Sequence, residues 1–255
     1  MLKNERQNLI MEIIKREQYV KVTELKEQFS VSDETIRRDL NELEKSGRIH
    51  CVHGGAVLES SSVNEFDYMV RVKQNQIEKD AICREAAKLV NERESIAILG
   101  SSTTLFMADA LERKNNITVV TNSIYLANKL SKNRSNEVIF TGGVVNYDEQ
   151  RAMGALTEYA ISKTFVDKAF FSVAGITIEN GITEYNEMEL RVVKCVMKNA
   201  KQSILMMDHT KFGFAAFRQI YDIKSVHSIV TDWHTPSDVL REYEALGIDI
   251  RKAEK

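Results

Sequence analysis

The chain has 255 residues, of which 43% are hydrophobic and 28% are charged, and its formal net charge is −2. This length predicts two domains in an ordinary globular protein. No segment resembles a signal peptide or a membrane span, so we expect a cytoplasmic protein with no membrane partner. The three cysteines lack metal-ligand spacing, and we expect no disulfide framework, no metal and no cofactor.

The first predicted domain spans residues 1–58 and begins with two helices. Residues 4–17 carry apolar side chains at helical spacing, and a second helix follows a short β-rich segment. Only Ser30 and Val31 separate that second helix from a third, for which Ser32 is the predicted N-cap. This tight connection predicts a helix-turn-helix.

The third helix has two chemically different faces. Ile36, Leu40 and Leu43 fall on one face, which we expect to be buried. The opposite face carries arginines and an amide, which suit phosphate oxygens and purine edges. The helix is therefore predicted to read DNA, and a solvated surface helix is the alternative interpretation of this stretch alone.

A β-hairpin is predicted after the third helix, which ends at Gly47. Residues 48–52 and 56–58 form the strands and His53-Gly54-Gly55 forms the turn, so the domain is a winged helix-turn-helix. Basic and acidic residues balance within this domain, so DNA affinity must depend on a local basic cluster and on two copies binding together. The predicted DNA contacts are Lys21, Ser32, Thr35, Arg37, Arg38, Asn41, Arg48, His53, Gly54 and Gly55.

Residues 59–75 are predicted to be a linker, and residues 76–255 to be a second domain. Helical and strand patterns alternate in the second domain, which predicts a mostly parallel sheet covered by helices. The predicted strands are residues 95–99, 117–120, 137–140, 168–173, 203–207 and 228–230.

Four of these strands lead into loops rich in hydroxyl side chains and glycine. The carboxyl ends of parallel strands share one rim of the sheet, where ligands bind. Such loops present backbone N–H groups to anions, and Lys211 adds a positive charge. Ordinary strand-to-helix turns are the alternative for each loop taken singly. Four on one predicted rim favour a site for a phosphorylated or otherwise anionic small molecule.

Residues 31–40, followed by His53-Gly54-Gly55-Ala56 at the expected separation, closely resemble the signature of the DeoR/GlpR family of bacterial transcriptional regulators. Cys51 stands where that family usually has arginine. The resemblance continues through residues 167–175 and Asp208-x-x-Lys211 into the sensor domain of the family. It implies an α/β fold similar to ribose-5-phosphate isomerase and an effector that is a phosphorylated sugar or a related metabolite.

The resemblance also implies a set of effector contacts on the loops of the sheet rim. Gly100 and Ser102 stand where aspartate and glycine are usual in the first of these loops, so the ligand cannot be taken from a relative. The implied contacts are Ser101, Ser102, Thr103, Thr104, Thr121, Asn122, Gly142, Gly143, Gly175 and Lys211.

The function predicted from the sequence is that of a repressor of a sugar catabolic operon. It binds an operator in double-stranded DNA, and its effector is a phosphorylated sugar. The form that binds DNA is expected to be a homodimer or a higher oligomer. One alternative is an isomerase-like enzyme with an appended domain. Ribose-5-phosphate isomerases carry two aspartates after a central strand, and the corresponding residues of this chain, 171–175, contain no carboxylate. The glutamates that follow, Glu184, Glu187 and Glu189, are expected to be surface charges on a helix. A second alternative is a module whose winged helix binds protein.

Overall fold

The computed structural model describes residues 3–17, 19–46, 48–52, 55–58 and 68–255. Contacts divide the chain into two units, Met1–Arg71 and Val72–Lys255. The described elements of the first unit, in chain order, are α1 (Lys3–Glu17), β1 (Tyr19–Lys21), α2 (Val22–Phe29), α3 (Asp33–Lys45), β2 (Ile49–Val52) and β3 (Gly55–Leu58). Helix α4 (Tyr68–Lys73) then spans the boundary between the units.

The first unit is a helix-turn-helix with a small antiparallel sheet in the order β1-β3-β2. Its core joins the helices to the sheet through Ile14, Leu25, Ile36, Leu40 and Ile49, all of them buried. The predicted helices and hairpin strands are confirmed. The predicted helix end at Gly47 and the turn residues His53 and Gly54 lie outside the described residues.

The second unit alternates strands and helices. Its elements are α5 (Gln76–Ala87), β4 (Ser95–Ile98), α6 (Met107–Ala110), β5 (Thr118–Thr121), α7 (Ile124–Leu130), β6 (Glu137–Phe140), β7 (Val144–Asn146), β8 (Arg151–Met153), α8 (Ala155–Ser162), β9 (Val166–Phe171), β10 (Gly175–Thr177), β11 (Gly181–Glu184), α9 (Glu187–Asn199), β12 (Ala200–Met206), β13 (Arg218–Tyr221), β14 (Ser228–Thr231), α10 (Ser237–Glu244) and β15 (Asp249–Lys252).

The main sheet has the strand order β15-β14-β12-β9-β4-β5-β6, and all of its pairings are parallel. Successive side chains of a strand point to opposite faces. Phe170 and Phe171 of β9 accordingly enter two separate cores, one on each face of the sheet. The predicted α/β fold is confirmed, and each of the predicted strands lies within or overlaps an observed one.

Two small antiparallel sheets were not predicted. One is β10-β11-β13 and the other is the hairpin β7-β8. The first of them corrects the expectation for the glutamates. Glu184 belongs to β11 rather than to a helix and is buried, and the Glu189 side chain is only 11% exposed, whereas Glu187 is on the surface of α9 as expected.

Every helix in the part of the chain that the structure describes is too short or too polar to cross a lipid bilayer. Within those residues the three cysteines are free, and Cys83 is fully buried among apolar side chains. Cys83 is therefore a small packing residue of this core.

Candidate DNA-binding and effector sites

Helix α3 is built as the sequence predicts. The Ser32 hydroxyl accepts a hydrogen bond from the backbone N–H of Thr35 at 3.3 Å, and the two hydroxyls lie 2.9 Å apart. A serine at this position satisfies one of the open N–H groups of the first turn. The predicted N-cap is therefore confirmed, and both hydroxyls already have an intramolecular partner.

The predicted basic cluster lies on the solvent side of the first unit. Arg37, Arg38, Asn41 and Arg48 are exposed. Within the described residues, no ion pair holds either guanidinium of Arg37 or Arg38, so both can reach a nucleic acid. Lys21 lies at the end of β1, with its ammonium 3.8 Å from the carboxylate of Glu24 in the same unit.

Of the predicted wing contacts at His53, Gly54 and Gly55, only Gly55 lies within the described residues. Gly55 is buried in β3, where it pairs with Lys21 of β1 and Val52 of β2. Cys51 is half-buried, and its backbone N–H donates to the Glu44 carboxylate at 2.7 Å. Burial and the charge of Glu44 raise the pKa of the Cys51 thiol to about 11, so this thiol is neutral at physiological pH.

A buried ion pair that sequence reasoning missed holds α3 against α1. Arg6 Nε lies 2.5 Å from Asp39 Oδ2, and these residues are 9% and 1% exposed. Gln7 of α1 donates to Asp39 at 3.4 Å and to Glu42 at 2.9 Å. The only signal in the sequence is that Asp39 falls on the apolar face of α3, one turn beyond Ile36.

In the second unit, the loop after β4 uses its hydroxyls internally. Ser101 Oγ accepts from the amides of Thr103 and Thr104, at 3.2 and 3.0 Å, and Thr104 Oγ1 donates to the carbonyl of Leu99 at 2.5 Å. The Ser102 and Thr103 side chains are buried. The hydroxyls of Ser101 and Thr104 therefore hold the shape of the loop.

The loop after β5 is also tied to its neighbours. Thr121 Oγ1 donates to the carbonyl of Ile98 at 2.7 Å. The Asn122 side chain accepts from the amide of Gly100 at 2.8 Å and donates to the carbonyl of Ala152 at 3.0 Å. The Asn122 side chain thus joins the β4 loop to β8.

Two of the predicted glycines are required by close packing. A Cβ on Gly143, which has φ +132°, would lie 2.3 Å from Thr157 Oγ1. A Cβ on Gly175 would lie 2.4 Å from the carbonyl oxygen of Phe214. Gly142, with φ +64°, has open space where a Cβ would be. Positive φ values at Gly142 and Gly143 explain why glycine is needed there.

Backbone N–H groups remain available on this rim. Within the described residues, the amides of Ser101, Ser102, Gly142 and Gly143 donate no hydrogen bond. They belong to the loops after β4 and β6, on either side of β5. Lys211 lies in the turn after β12, at the same end of the parallel sheet, and is half-buried. Free backbone amides and a lysine ammonium are each groups that favour an anion at this end of the sheet.

A charged cluster at the same rim was not predicted. Arg151 of β8 forms ion pairs with Glu149 and Glu189, and its Nη1 donates to the carbonyl of Gly100 at 2.7 Å. Both partner carboxylates are largely buried. Arg151 therefore links α9 to the β4 loop, and no local sequence pattern indicates this contact.

Glu184 completes this cluster from β11. Its carboxylate accepts from the amides of Ala174 at 3.1 Å and Tyr185 at 2.8 Å. Burial, together with the negative charge of Glu189, raises the pKa of Glu184 to about 7. Among the described residues, no group of histidine, cysteine and carboxylate side chains has the arrangement of a metal site.

The pKa of Glu184 has a consequence for stability. The folded chain holds this proton up to about pH 7, whereas the unfolded chain loses it near the usual glutamate pKa of about 4.3. Between about pH 4.3 and about pH 7 the folded state therefore binds more protons than the unfolded state. The free energy of unfolding should fall as the pH rises through this range and level off above about pH 7. Thermal melts between pH 5 and 8.5 measure this trend.

The matched variants for this prediction are Glu184→Gln and Glu179→Gln, the second at an exposed position of the same unit. We expect the pH trend of wild type to persist in Glu179→Gln and to be weaker in Glu184→Gln. Equal slopes in wild type and Glu184→Gln would contradict a raised Glu184 pKa.

A winged helix-turn-helix joined to a parallel α/β domain defines a DNA-binding transcription regulator with a second, sensing domain. The DeoR-like helix-turn-helix domain matches residues 6–62, and the DeoR C terminal sensor domain matches residues 74–233. The chain belongs to the DeoR family of transcriptional regulators.

Curated relatives cover nearly the whole chain. The HTH-type transcriptional regulator GolR of Listeria innocua is 34% identical and covers 98% of both chains. YulB of Bacillus subtilis, an HTH-type transcriptional regulator, is 37% identical over 91% of this chain and 90% of its own. The glycerol-3-phosphate regulon repressor of Escherichia coli is 33% identical, with 94% and 95% covered.

Solved structures resemble parts of the chain. Ribose 5-phosphate isomerase A of Methanocaldococcus jannaschii matches 55% of each chain with a TM-score of 0.39 and 15% identity. The eIF2B delta subunit of Chaetomium thermophilum matches 78% of this chain and 62% of its own, with a TM-score of 0.46 and 11% identity.

Proposed function

We propose that this regulator represses a sugar catabolic operon and releases its operator when a phosphorylated sugar binds the rim of the main sheet. The observation that supports the effector site is the pair of open amides in the β4 loop, at Ser101 and Ser102, at the same end of the main sheet as Lys211 after β12. A phosphate group matches this combination because its oxygens accept several hydrogen bonds and its charge is neutralised by an ammonium.

The DNA-binding half of the proposal depends on α3 entering the major groove. Arg37 and Arg38 would contact phosphates or base edges, and Asn41 would contact a base edge. Lys21 and Arg48, on either side of the helix in the sequence, would contact the DNA backbone. Such helices read paired half-sites, so the binding form is a homodimer or a higher oligomer.

The sign of regulation is proposed as repression. A relative from Escherichia coli is named as the repressor of the glycerol-3-phosphate regulon, whereas a relative from Haemophilus influenzae, 31% identical, is named as the L-fucose operon activator. A repressor needs only lower DNA affinity in the effector-bound state. The effector can shift the equilibrium between a state of high DNA affinity and a state of low DNA affinity only by the difference between its own affinities for these two states.

The experiment is a mobility-shift titration with DNA from upstream of the chain's own gene. Phosphorylated three- to six-carbon sugars and their unphosphorylated forms are added to wild type and to Lys211→Ala. We expect one phosphorylated sugar to weaken DNA binding about tenfold or more in wild type, within the usual range of coupling energies, and to act far less on Lys211→Ala. If no phosphorylated sugar changes DNA affinity, the effector assignment is wrong.

An isomerase-like activity is the second candidate, and Glu184 is the observation that favours it. A buried carboxylate with a pKa of about 7 has the properties of a general base. All of the curated relatives described above are named as regulators, so we rank this candidate second. Incubating the protein with ribose 5-phosphate and assaying for ribulose 5-phosphate decides it, with Glu184→Gln as the control.

A further inference from the structure

The two edges of the main sheet differ in charge. At one edge, β15 contains the charged residues Asp249, Arg251 and Lys252. At the other edge, all of β6 after Glu137 belongs to residues 138–147, which contain neither a charged side chain nor a proline. A free strand edge pairs readily with another strand, and proteins usually prevent this with charges, prolines or bulges. The β6 edge therefore has the composition of an edge that another strand covers.

The free side of β6 presents the backbone groups of two residues, Val138 and Phe140. In the part of the chain that the structure describes, β6 pairs with β5 alone. The N–H groups of Glu137 and Thr141 donate towards the β5 side, each at 3.0 Å. Because the backbone groups of successive residues point to opposite sides of a strand, those of Val138 and Phe140 point away from β5. An antiparallel strand could exchange hydrogen bonds with both residues.

The side chains of β6 are open on both faces of the sheet. In the parallel register, Val138 lies beside Val119 and Ile139 lies beside Val120, and these two valines of β5 belong to separate cores on opposite faces. Ile139 is nevertheless 40% exposed and Phe140 is 42% exposed. Both apolar layers of the second unit therefore end at β6 without being covered by the described residues.

An apolar groove lies between α7 and β6. It has a volume of about 380 Å³ and is lined by Ile124, Ala127, Asn128, Ser131, Val138 and Phe140. The turn of the β7–β8 hairpin adjoins this groove, because the amide of Ile124 donates to the carbonyl of Gln150 at 3.0 Å. Tyr147, in the same turn, is 88% exposed, and Val144 of β7 is also exposed. The hairpin therefore extends the apolar surface beyond the strand edge.

The β6 surface, defined as the side chains of Ile124, Ile139, Phe140, Val144 and Tyr147, has the size of an interface. Together these side chains expose on the order of 400 Å² of apolar area. Since protein interfaces are about 60% apolar, this area corresponds to about 700 Å² per partner. Stable complexes typically bury about 800 Å² per partner. The β6 surface is therefore large enough to hold two chains together.

We propose that two copies of this chain pair through their β6 strands, antiparallel and about a two-fold axis at Ile139. Val138 of each copy then lies opposite Phe140 of the other, and each of these pairs exchanges two backbone hydrogen bonds. The Phe140 side chain packs against Val138 of the other copy, beside the groove. The two Ile139 side chains face each other on the axis.

A second copy fits this edge because the edge is self-complementary. The outward backbone groups of Val138 and Phe140 are placed symmetrically about Ile139, so a two-fold rotation of the strand supplies a matching set of donors and acceptors. The proposal rests on the part of the proposed function that requires two copies for paired half-sites. It adds the surface that joins those copies, and it is independent of the effector.

The register is tested by a cysteine at the axis. In the full chain with Ile139→Cys, the Cα atoms of the two copies would lie about 4.5 Å apart, a separation that a disulfide can span. Ile178→Cys is the matched control, because Ile178 is 37% exposed in a turn of the same unit. After mild oxidation, we expect a covalent dimer on a non-reducing gel for Ile139→Cys and not for Ile178→Cys or wild type.

A pair of charge variants tests the same contact without a new covalent bond. Ile139→Lys and Ile139→Glu each place two like charges opposite one another on the axis, which is destabilising. We expect each variant alone to have half the molar mass of wild type in light scattering, and Ile178→Lys to match wild type. Mixing the two Ile139 variants places opposite charges together and should restore the wild-type mass, which also shows that both variants are folded.

The outcomes separate this proposal from the proposed function. If wild type is oligomeric, Ile139→Cys gives no covalent dimer and both charge variants keep the wild-type mass, the β6 interface is wrong and the copies are joined elsewhere. If wild type is monomeric at the concentrations at which it binds DNA, the β6 interface and the requirement for two copies are both wrong. The effector assignment is tested separately, by the mobility-shift titration.

Discussion

A chain in which Arg37 and Arg38 are both alanine is expected to lose specific DNA binding and to keep its fold. Both side chains are exposed on α3, so their removal leaves the core unchanged. An arginine that contacts a base edge contributes about 1–3 kcal/mol to the free energy of DNA binding. Each lost phosphate contact reduces the slope of log K against log salt concentration by about 0.9. Fluorescence anisotropy with upstream DNA at several salt concentrations measures both effects.

The matched control is the double variant Arg113→Ala/Arg134→Ala, which removes the same charge from exposed positions of the second unit. It should bind DNA nearly as wild type does. If the Arg37/Arg38 variant binds as tightly as this control, α3 is not the reading helix. A winged helix that binds protein would then become the better interpretation of the first unit.

Asp39→Ala is expected to unfold the first unit without touching a DNA contact. It leaves the Arg6 guanidinium buried and unpaired between α1 and α3. Removing one partner of a buried ion pair typically costs about 3–5 kcal/mol, which is a large fraction of the stability of a small domain. Hydrogen exchange at the amides of α1 and α3 would show the loss of protection, while the amides of the main sheet stay protected.

Two variants test the cause of that loss. Asn41→Ala changes an exposed position of the same helix and should leave the protection of α1 unchanged. Arg6→Met/Asp39→Leu replaces the pair by apolar side chains of similar size and should recover much of the stability. If Asp39→Ala is as stable as Asn41→Ala, the ion pair is not what holds α3 in place.

Elements defined by local signals were predictable. The Ser32 cap, the apolar face of α3 and the buried strands of the main sheet each follow from residues within one turn or one strand. Glu184 was not predictable because β11 has only four residues and pairs with β13, which is distant in sequence. The apolar residues after Glu184 have helical spacing, and extending this pattern towards the N-terminus predicts a helix at the position of β11.

The rim loops were predicted from their hydroxyl side chains and glycines, a composition typical of loops that present backbone N–H groups. The partners of the individual hydroxyls were not predictable: Ser101, Thr104 and Thr121 bond to backbone groups of their own or neighbouring loops. Such residues compete for local backbone partners, and this competition is invisible in composition. The charged cluster of Arg151 and Glu189 was missed because tertiary contacts alone bring β8 and α9 together.

The position of β9 in the main sheet has a consequence for how this protein is made. Its two neighbours are β4, which is synthesised long before it, and β12, which follows a helix and two short strands. Pairings between distant segments form slowly because loop closure costs entropy. The apolar core of the first unit consists of residues of that unit. We expect a nascent chain to fold its helix-turn-helix before the main sheet is complete, and the proposed effector site to form only after β12 and Lys211 leave the ribosome.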